Sequence, residues 1–254
     1  MTGRTVKRFT RFYAGGYDLS GYARTFGPLK SEFDMAEMTA LTDGVQGKLP
    51  NHPEFGVGEL DAVFDNTATS GIHAAISSPG VTRVVMCPIG MRAAPAEGDP
   101  VYCGQFNQLG YKMREDGGAM LLSVPFGLWD AANLINYAKC WGYLLHENSA
   151  ETGANAATGV DTIAATTAGG WLCYQIFAAN GTGVTATLSV EDSANNADWV
   201  ALLDATTGEI DVGTAPVAGI IATHTDHTVR QYLRWQLALG TATSVTFALA
   251  YIKG

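Results

Sequence analysis

The chain has 254 residues, of which 47% are hydrophobic and only 15% charged, and its 15 basic against 24 acidic side chains give a formal net charge of −9. That balance excludes a protein that wraps nucleic acid in a basic groove, since such binding is driven by neutralising phosphates. Length suits two domains of roughly 100 to 150 residues each.

The charge is uneven along the chain. Residues 1–147 carry 12 basic and 15 acidic side chains, whereas residues 148–254 carry 3 and 9. Arg4, Lys7, Arg8 and Arg11 make the start basic, without the apolar run and small-residue cleavage site of a signal peptide. Lys7 to Tyr13, aromatic and β-branched, predicts a strand running into a Gly15-Gly16 turn, and Tyr17 to Arg24 another. Phe33 to Leu41 reads as a strand, although Met35, Ala36, Glu37 and Met38 also suit a helix. The clearest period of two is Glu59 to Asp65: Leu60, Ala62 and Phe64 share one face, and Glu59, Asp61 and Asp65 the other. Thr69 to Ser77 predicts a short helix capped by Thr69 or Ser70 and stopped at Pro79-Gly80.

Thr82 to Ile89, Val101 to Met113 and, after Gly117-Gly118, Ala119 to Phe126 return to strand, with a second short helix predicted over Asp130 to Tyr137. Between Glu147 and Gly159 the chain is rich in Asn, Ser, Ala, Thr and Gly, as in an interdomain connection, which sets the expected domains at 1–149 and 150–254. Short strands follow at Asp161–Thr166, Trp171–Ala178, Thr185–Glu191, Trp199–Asp204, Glu209–Val212, Thr228–Ala238 and Ser244–Lys253. The fold class is therefore mainly β with one or two short helices, and residues 150–254 are expected to form a β-sandwich like a jelly roll. Residues 162–190 carry no charge, but the glycines at 169, 170, 181 and 183 among alternating threonines exclude a membrane-spanning helix.

Few motifs carry chemistry. Gly181 to Ala186 matches G-x-G-x-x-A, yet the β-branched Thr185 to Glu191 cannot supply the helix N-terminus that a dinucleotide needs, and Asn180-Gly181 reads better as a hairpin turn. Cys87, Cys103, Cys140 and Cys173 lack paired spacing and are expected as buried free thiols. His224, Asp226 and His227 lie close enough to ligate a metal. A further ligand would be needed and none is signalled nearby, so a polar loop is the preferred reading. His73 reads as packed or solvated. Asp192, Asp198 and Asp204 are too widely spaced for one calcium loop, and no nucleophile elbow, phosphate loop or zinc-protease helix appears. No catalytic residue, cofactor or metal is assigned, and the chain is not expected to be an enzyme.

Several stretches resemble the major tail protein, or tail tube protein, of long-tailed bacteriophages. In the N-terminal part these are Gly16-Tyr17-Asp18-Leu19-Ser20-Gly21-Tyr22, Ala36 to Asp43, and Glu59 to Asp65 closing on Phe64-Asp65-Asn66. In the C-terminal part, Glu191 to Leu202, Arg230-Gln231-Tyr232-Leu233-Arg234 and Gly240 to Ala250 look like the turns and strands of galactose-binding-like sandwiches in phage structural proteins. The resemblance implies a tube-forming domain and an outer galactose-binding-like or immunoglobulin-like sandwich. It implies stacked homo-hexameric rings, a lumen holding the tape-measure protein and conducting DNA without specific binding, contact with other tail proteins, no membrane insertion, and a place in the virion after synthesis in the host bacterial cytoplasm.

On that reading Glu59, Asp61 and Asp65, and less directly Asp34 and Glu37, face the lumen, where negative charge would repel phosphates. Arg4, Lys7, Arg8, Arg11, Pro50, His52 and Pro53 are the expected inter-ring contacts. Arg230 and Arg234 are expected to pair with carboxylates such as Asp192 or Asp198. The alternative is a carbohydrate- or receptor-binding virion component acting through the C-terminal sandwich, with Trp171, Trp199, Tyr232 and Trp235 as stacking residues, although alternating aromatics in a sandwich also suit a core.

Overall fold

The structure is a computed structural model that describes residues 7–37, 48–68, 71–91, 93–128, 139–153, 159–181 and 183–254. A 3-10 turn at Lys7–Phe9 precedes β1 (Tyr13–Ala14), β2 (Tyr17–Asp18), β3 (Ala23–Thr25), β4 (Lys30–Glu37), β5 (Lys48–Gly56) and β6 (Gly58–Val63). Helix α1 (Ile72–Ile76) is followed by β7 (Thr82–Pro88), β8 (Pro100–Gln108), β9 (Lys112–Asp116), β10 (Ala119–Leu128) and β11 (Trp141–Glu151). The remainder is β12 (Val160–Asp161), β13 (Gly170–Gly181), β14 (Thr185–Ser193), β15 (Val200–Thr206), β16 (Ile210–Asp211), β17 (Val217–Ala222), β18 (Tyr232–Leu239) and β19 (Ala242–Lys253).

The mainly-β expectation holds, and strand periodicity explains most of it. On β6 Leu60 and Ala62 are fully buried while Glu59 is exposed and Asp61 half-buried, the alternation read from the sequence. On β18 Leu233, Trp235 and Leu237 face inward and their neighbours do not.

The described residues form three sheets. The largest runs in the order β17-β13-β19-β11-β8-β10-β6-β3, with β7 also on β8, β1 on β7, β2 on β1 and β9 on β10. A second sheet runs β12-β18-β14-β15 with β16 on β14, and β4 and β5 form a hairpin of their own. The β17-β13-β19-β11 end of the large sheet and the second sheet close on one apolar core that includes Leu172, Leu188, Trp235 and Phe247, which makes a two-layer sandwich. A separate core in the N-terminal half gathers Phe12, Leu60, Ile76, Tyr102 and Val124. Between them a third cluster packs Tyr13, Met86 and Cys103 against Trp171, Cys173 and Ile252.

That third cluster changes the expected organisation. The boundary at 149/150 falls inside β11, which pairs with β8 through Trp141–Tyr143 and with β19 through Tyr143–Glu151. Of the run read as a connection, residues 147–151 are strand, since a strand held by its backbone needs no large side chain, while residues 154–158 lie outside the described residues. Buried Gln175 bridges the halves: its carbonyl accepts the Gly16 N–H at 2.6 Å and its amide donates to the Val84 carbonyl at 2.9 Å. A Cβ on Gly16 (φ +85°) would lie 2.6 Å from the Val217 nitrogen, so the close approach there requires glycine.

Other differences are local. Lys7–Tyr13 is a 3-10 turn and a bridge at Thr10 before the short β1, and Val101–Met113 breaks into β8 and β9 around Leu109–Tyr111. The helix near residue 72 has Gly71 as its N-cap with no side-chain cap bond, not Thr69 or Ser70, which lie outside the described residues. Asn180-Gly181 is not a hairpin turn: β13 pairs with β17 and β19, and β14 belongs to the opposite layer. A turn dipeptide signals reversal; it does not choose the strand's partner. The expected strand end at 38–41 and the helix at 130–137 lie outside the described residues. Among the described residues no helix is long and apolar enough to cross a membrane.

Candidate functional site

The surface singled out by the acidic alternation is built by β6, β10 and β9. Ser123 of β10 sits opposite Asp61, and Leu121 sits opposite both Val63 of β6 and Arg114 of β9. Cross-strand partners share a face, so Asp61, Ser123, Leu121 and Arg114 line one side of the sheet. The Arg114 guanidinium reaches over β10 and donates to both Asp61 carboxylate oxygens, at 3.0 and 3.1 Å. The Ser123 hydroxyl donates to Glu59. Arg24 of β3 pairs with Asp116 at 3.4 Å. This face is therefore a lattice of both signs and not a purely negative wall.

Asp65 lies just beyond β6, where its carboxylate accepts the Thr67 N–H at 2.7 Å and the Thr67 hydroxyl at 2.6 Å. Those bonds hold its pKa below the usual carboxylate value. Glu59, Asp61 and Asp65 thus fall along one strand and its exit. Asp34 and Glu37 are on β4, a different element, and Pro50, His52 and Pro53 are on β5. Met35 pairs with Pro50 and Phe33 with Pro53, and the side chains of these predicted site residues lie outside the described part.

The base of the β4–β5 hairpin is tied to the core. The buried Tyr102 hydroxyl donates to the Lys30 carbonyl at 2.5 Å and accepts the Gly56 N–H at 3.2 Å. Burial raises the Tyr102 pKa and keeps the phenol a donor. Of the basic start, Lys7, Arg8 and Arg11 line one side of a cleft of about 290 Å³ with Ser20 and Phe26. Arg8 lies over the Phe9 ring at 4.6 Å, and Arg11 donates to the Arg8 and Thr10 carbonyls at 3.2 and 3.0 Å. Arg4 is outside the described residues.

The aromatics of the alternative reading are mostly structural. Trp171 and Trp235 are buried, Trp199 is half-buried beneath the Arg234 guanidinium at 4.5 Å, and Tyr232 is half-buried. The Trp235 indole donates to Glu97 at 3.1 Å, another tie between the halves. Arg230 pairs with Asp192 as expected; Arg234 instead pairs with Glu191, its cross-strand partner, and Asp198 accepts from Asn195. His73 packs against Phe64 and bonds Tyr111 at 2.6 Å.

All four cysteines are free and buried, as expected. Desolvation raises the pKa values of Cys87, Cys103 and Cys140, that of Cys140 to about 12, which keeps those three protonated and poor nucleophiles. Cys103 and Cys173 meet in the cluster between the halves, a proximity that their separation in sequence hides.

No family model matches the sequence, and no curated protein matches it. Among solved structures, the SPP1 Dit (gp 19.1) protein, described as a paradigm of the hub adsorption apparatus in phages infecting Gram-positive hosts, aligns over 96% of this chain and 99% of its own, with 11% identity and a TM-score of 0.34. A superposition that loose assigns neither fold nor role.

Proposed function

We propose that the protein is a structural subunit of a bacteriophage tail, forming the tail tube by assembling into stacked homo-hexameric rings; its mechanism is assembly and not turnover. The motif resemblance supplies the tail-tube identity. The observation that carries the assembly reading is the open sheet of the N-terminal half. Strand β3 ends the large sheet, and β9 pairs only with β10 among the described residues while all five of its side chains are exposed. Unpaired edges bind other strands, and a ring that closes on itself uses them up. Lys112 and Arg114 beside Glu115 and Asp116 give the edge charges of both signs, which suits pairing to a copy of the same chain.

The β4–β5 hairpin, anchored at Tyr102 but part of neither large sheet, is the element suited to reach a neighbouring ring, together with the basic start. On this reading the β6 face lines a lumen that holds the tape-measure protein and then conducts DNA. A lattice of paired charges there presents few free cations to phosphate, so transit without adsorption needs little net negative charge. The sandwich of the C-terminal half decorates the outside.

Negative-stain imaging of the purified protein at high concentration tests the reading: rings or hollow tubes are expected, and persistent monomers overturn it. In phage, replacing Glu59 and Asp61 together by Lys is expected to leave tubes intact and impair DNA delivery; normal infectivity would remove the lumen assignment.

A further inference from the structure

The turn between β17 and β18 gathers groups that the assembly reading does not use. His224, Asp226 and His227 each offer a ligand atom within 4.8 Å of the others, the one such cluster of three among the described residues. The turn is held by backbone: the His227 N–H donates to the His224 carbonyl at 3.1 Å and the Gly169 N–H to the His227 carbonyl at 3.0 Å. A Cβ on Gly169 (φ +66°) would lie 2.2 Å from the His224 oxygen, so glycine lets the turn seat there.

His227 presents two different nitrogens. Its Nε2 is 4.0 Å from Asp226 Oδ1, on the side of His224, whose Nδ1 bonds the same carboxylate oxygen. Its Nδ1 is buried with no hydrogen-bond partner, and the nearest carboxylate is Asp204 Oδ2 at 3.8 Å. Asp204 comes from β15, at φ +61°, where pairing with β14 slips between Ser189 and Glu191. Bulged strands re-aim side chains in this way.

We infer that this turn is a divalent transition-metal site, with His224, Asp226 and Nε2 of His227 as ligands and Asp204 orienting His227 through Nδ1. Two imidazoles and a carboxylate match a three-ligand zinc site completed by water, with ligands at about 2.0–2.2 Å. Nitrogen donors disfavour Mg²⁺ and Ca²⁺, which take oxygen. A metal on Nε2 places the remaining ring proton on Nδ1, and a carboxylate accepting that proton is the usual outer partner of a ligating histidine. It also gives the orphaned Nδ1 its partner. His224 and Asp226, 68% and 75% exposed, are free to part from their mutual bond around an ion and leave room for water. The nearby cation does not compete, because the Arg230 guanidinium is paired with Asp192 at 3.3 Å, and the Arg230 backbone N–H donates to the same carboxylate at 2.8 Å. The further ligand absent from the local sequence is thus supplied by water, and the outer carboxylate by a strand twenty residues upstream.

The test titrates the tag-free full chain, stripped with chelator, with Zn²⁺ by calorimetry and with Co²⁺ by visible absorption. One ion per chain is expected, undisturbed by excess Mg²⁺. His224→Ala and His227→Ala should each weaken binding at least about tenfold, and Asp204→Asn by about 10–100-fold. His224 is exposed, so H224A should melt like the parent when metal-free, which separates lost ligation from lost folding. Absence of saturable Zn²⁺ binding, or binding unchanged in the His224→Ala/His227→Ala double variant, overturns the site. Unchanged affinity in Asp204→Asn overturns the orienting role.

Discussion

The two halves of the molecule use the same strand periodicity and finish differently. In the C-terminal half two sheets close on each other over Leu172, Leu188, Trp235 and Phe247. In the N-terminal half β3 and β9 leave edges open, Met113, Met120 and Val63 are about half exposed, and a separate hairpin stands on Tyr102. Facing sheets cover each other's inner apolar faces, although β17 and β15 still end them and Val200 and Leu203 stay exposed, whereas the N-terminal sheet and hairpin have no second sheet laid across them among the described residues. The difference teaches where a core is completed within the chain and where the proposed assembly would draw its contacts.

The largest effect should come from breaking the closed half. Phe247 stacks on His146 at 4.0 Å and meets Trp235 at 5.5 Å, and Phe247→Ala should cost about 3–5 kcal/mol in urea unfolding. Met113→Ala, on the open edge, should stay within about 0.5 kcal/mol in the same assay while weakening ring or tube formation. Equal destabilisation by the two changes would erase the contrast.

At the seam, Gln175→Ala leaves the Gly16 N–H unpaired in a buried place, while the Val84 carbonyl keeps the Gly15 N–H at 2.9 Å, and about 1–3 kcal/mol should be lost. If the halves melted independently, the loss would be confined to one of two calorimetric transitions; a single transition is expected. On the β6 face, Arg114→Ala removes a partly exposed pair and should change stability by no more than about 1 kcal/mol.

A further effect is a pH dependence. Lys253 donates to the Ala164 and Arg230 carbonyls, and desolvation lowers its pKa to about 8, against the pull of Asp192 and Asp161. With the folded pKa below the unfolded value, the unfolded chain binds more protons between pH 8 and about 10.4, so this group makes stability rise with pH across that window. Lys253→Met should flatten the rise, and an unchanged pH profile would show that the ammonium is not desolvated.

Part of this was legible in the residues. Alternation at Glu59–Asp65 located a real strand with the expected buried face, and the β-rich C-terminal pattern located a real sandwich. The seam had a signal too: Trp171–Ile176 and Phe247–Ile252 are continuous buried runs, which mark a strand covered on both faces. Trp171 and Cys173 face the seam while Leu172 and Ile176 face the sandwich core. Strand β17, half-buried throughout, gave no alternation to read.

The candidate sites divide in the same way. That Asp61 is acidic and outward was written in the period of two, but its neutralisation by Arg114, 53 residues away, required β10 to lie between them. His224, Asp226 and His227 could be grouped by sequence; Asp204 could not, because only the packing of β15 against the turn brings it to His227. The sequence by itself determined that the chain is mainly β and which face of an alternating strand such as β6 is apolar, since these follow from side-chain spacing within one strand. Only the tertiary structure decided which strands pair, that the two halves share one sheet, and which charges meet, since those depend on residues that spacing along the chain does not relate.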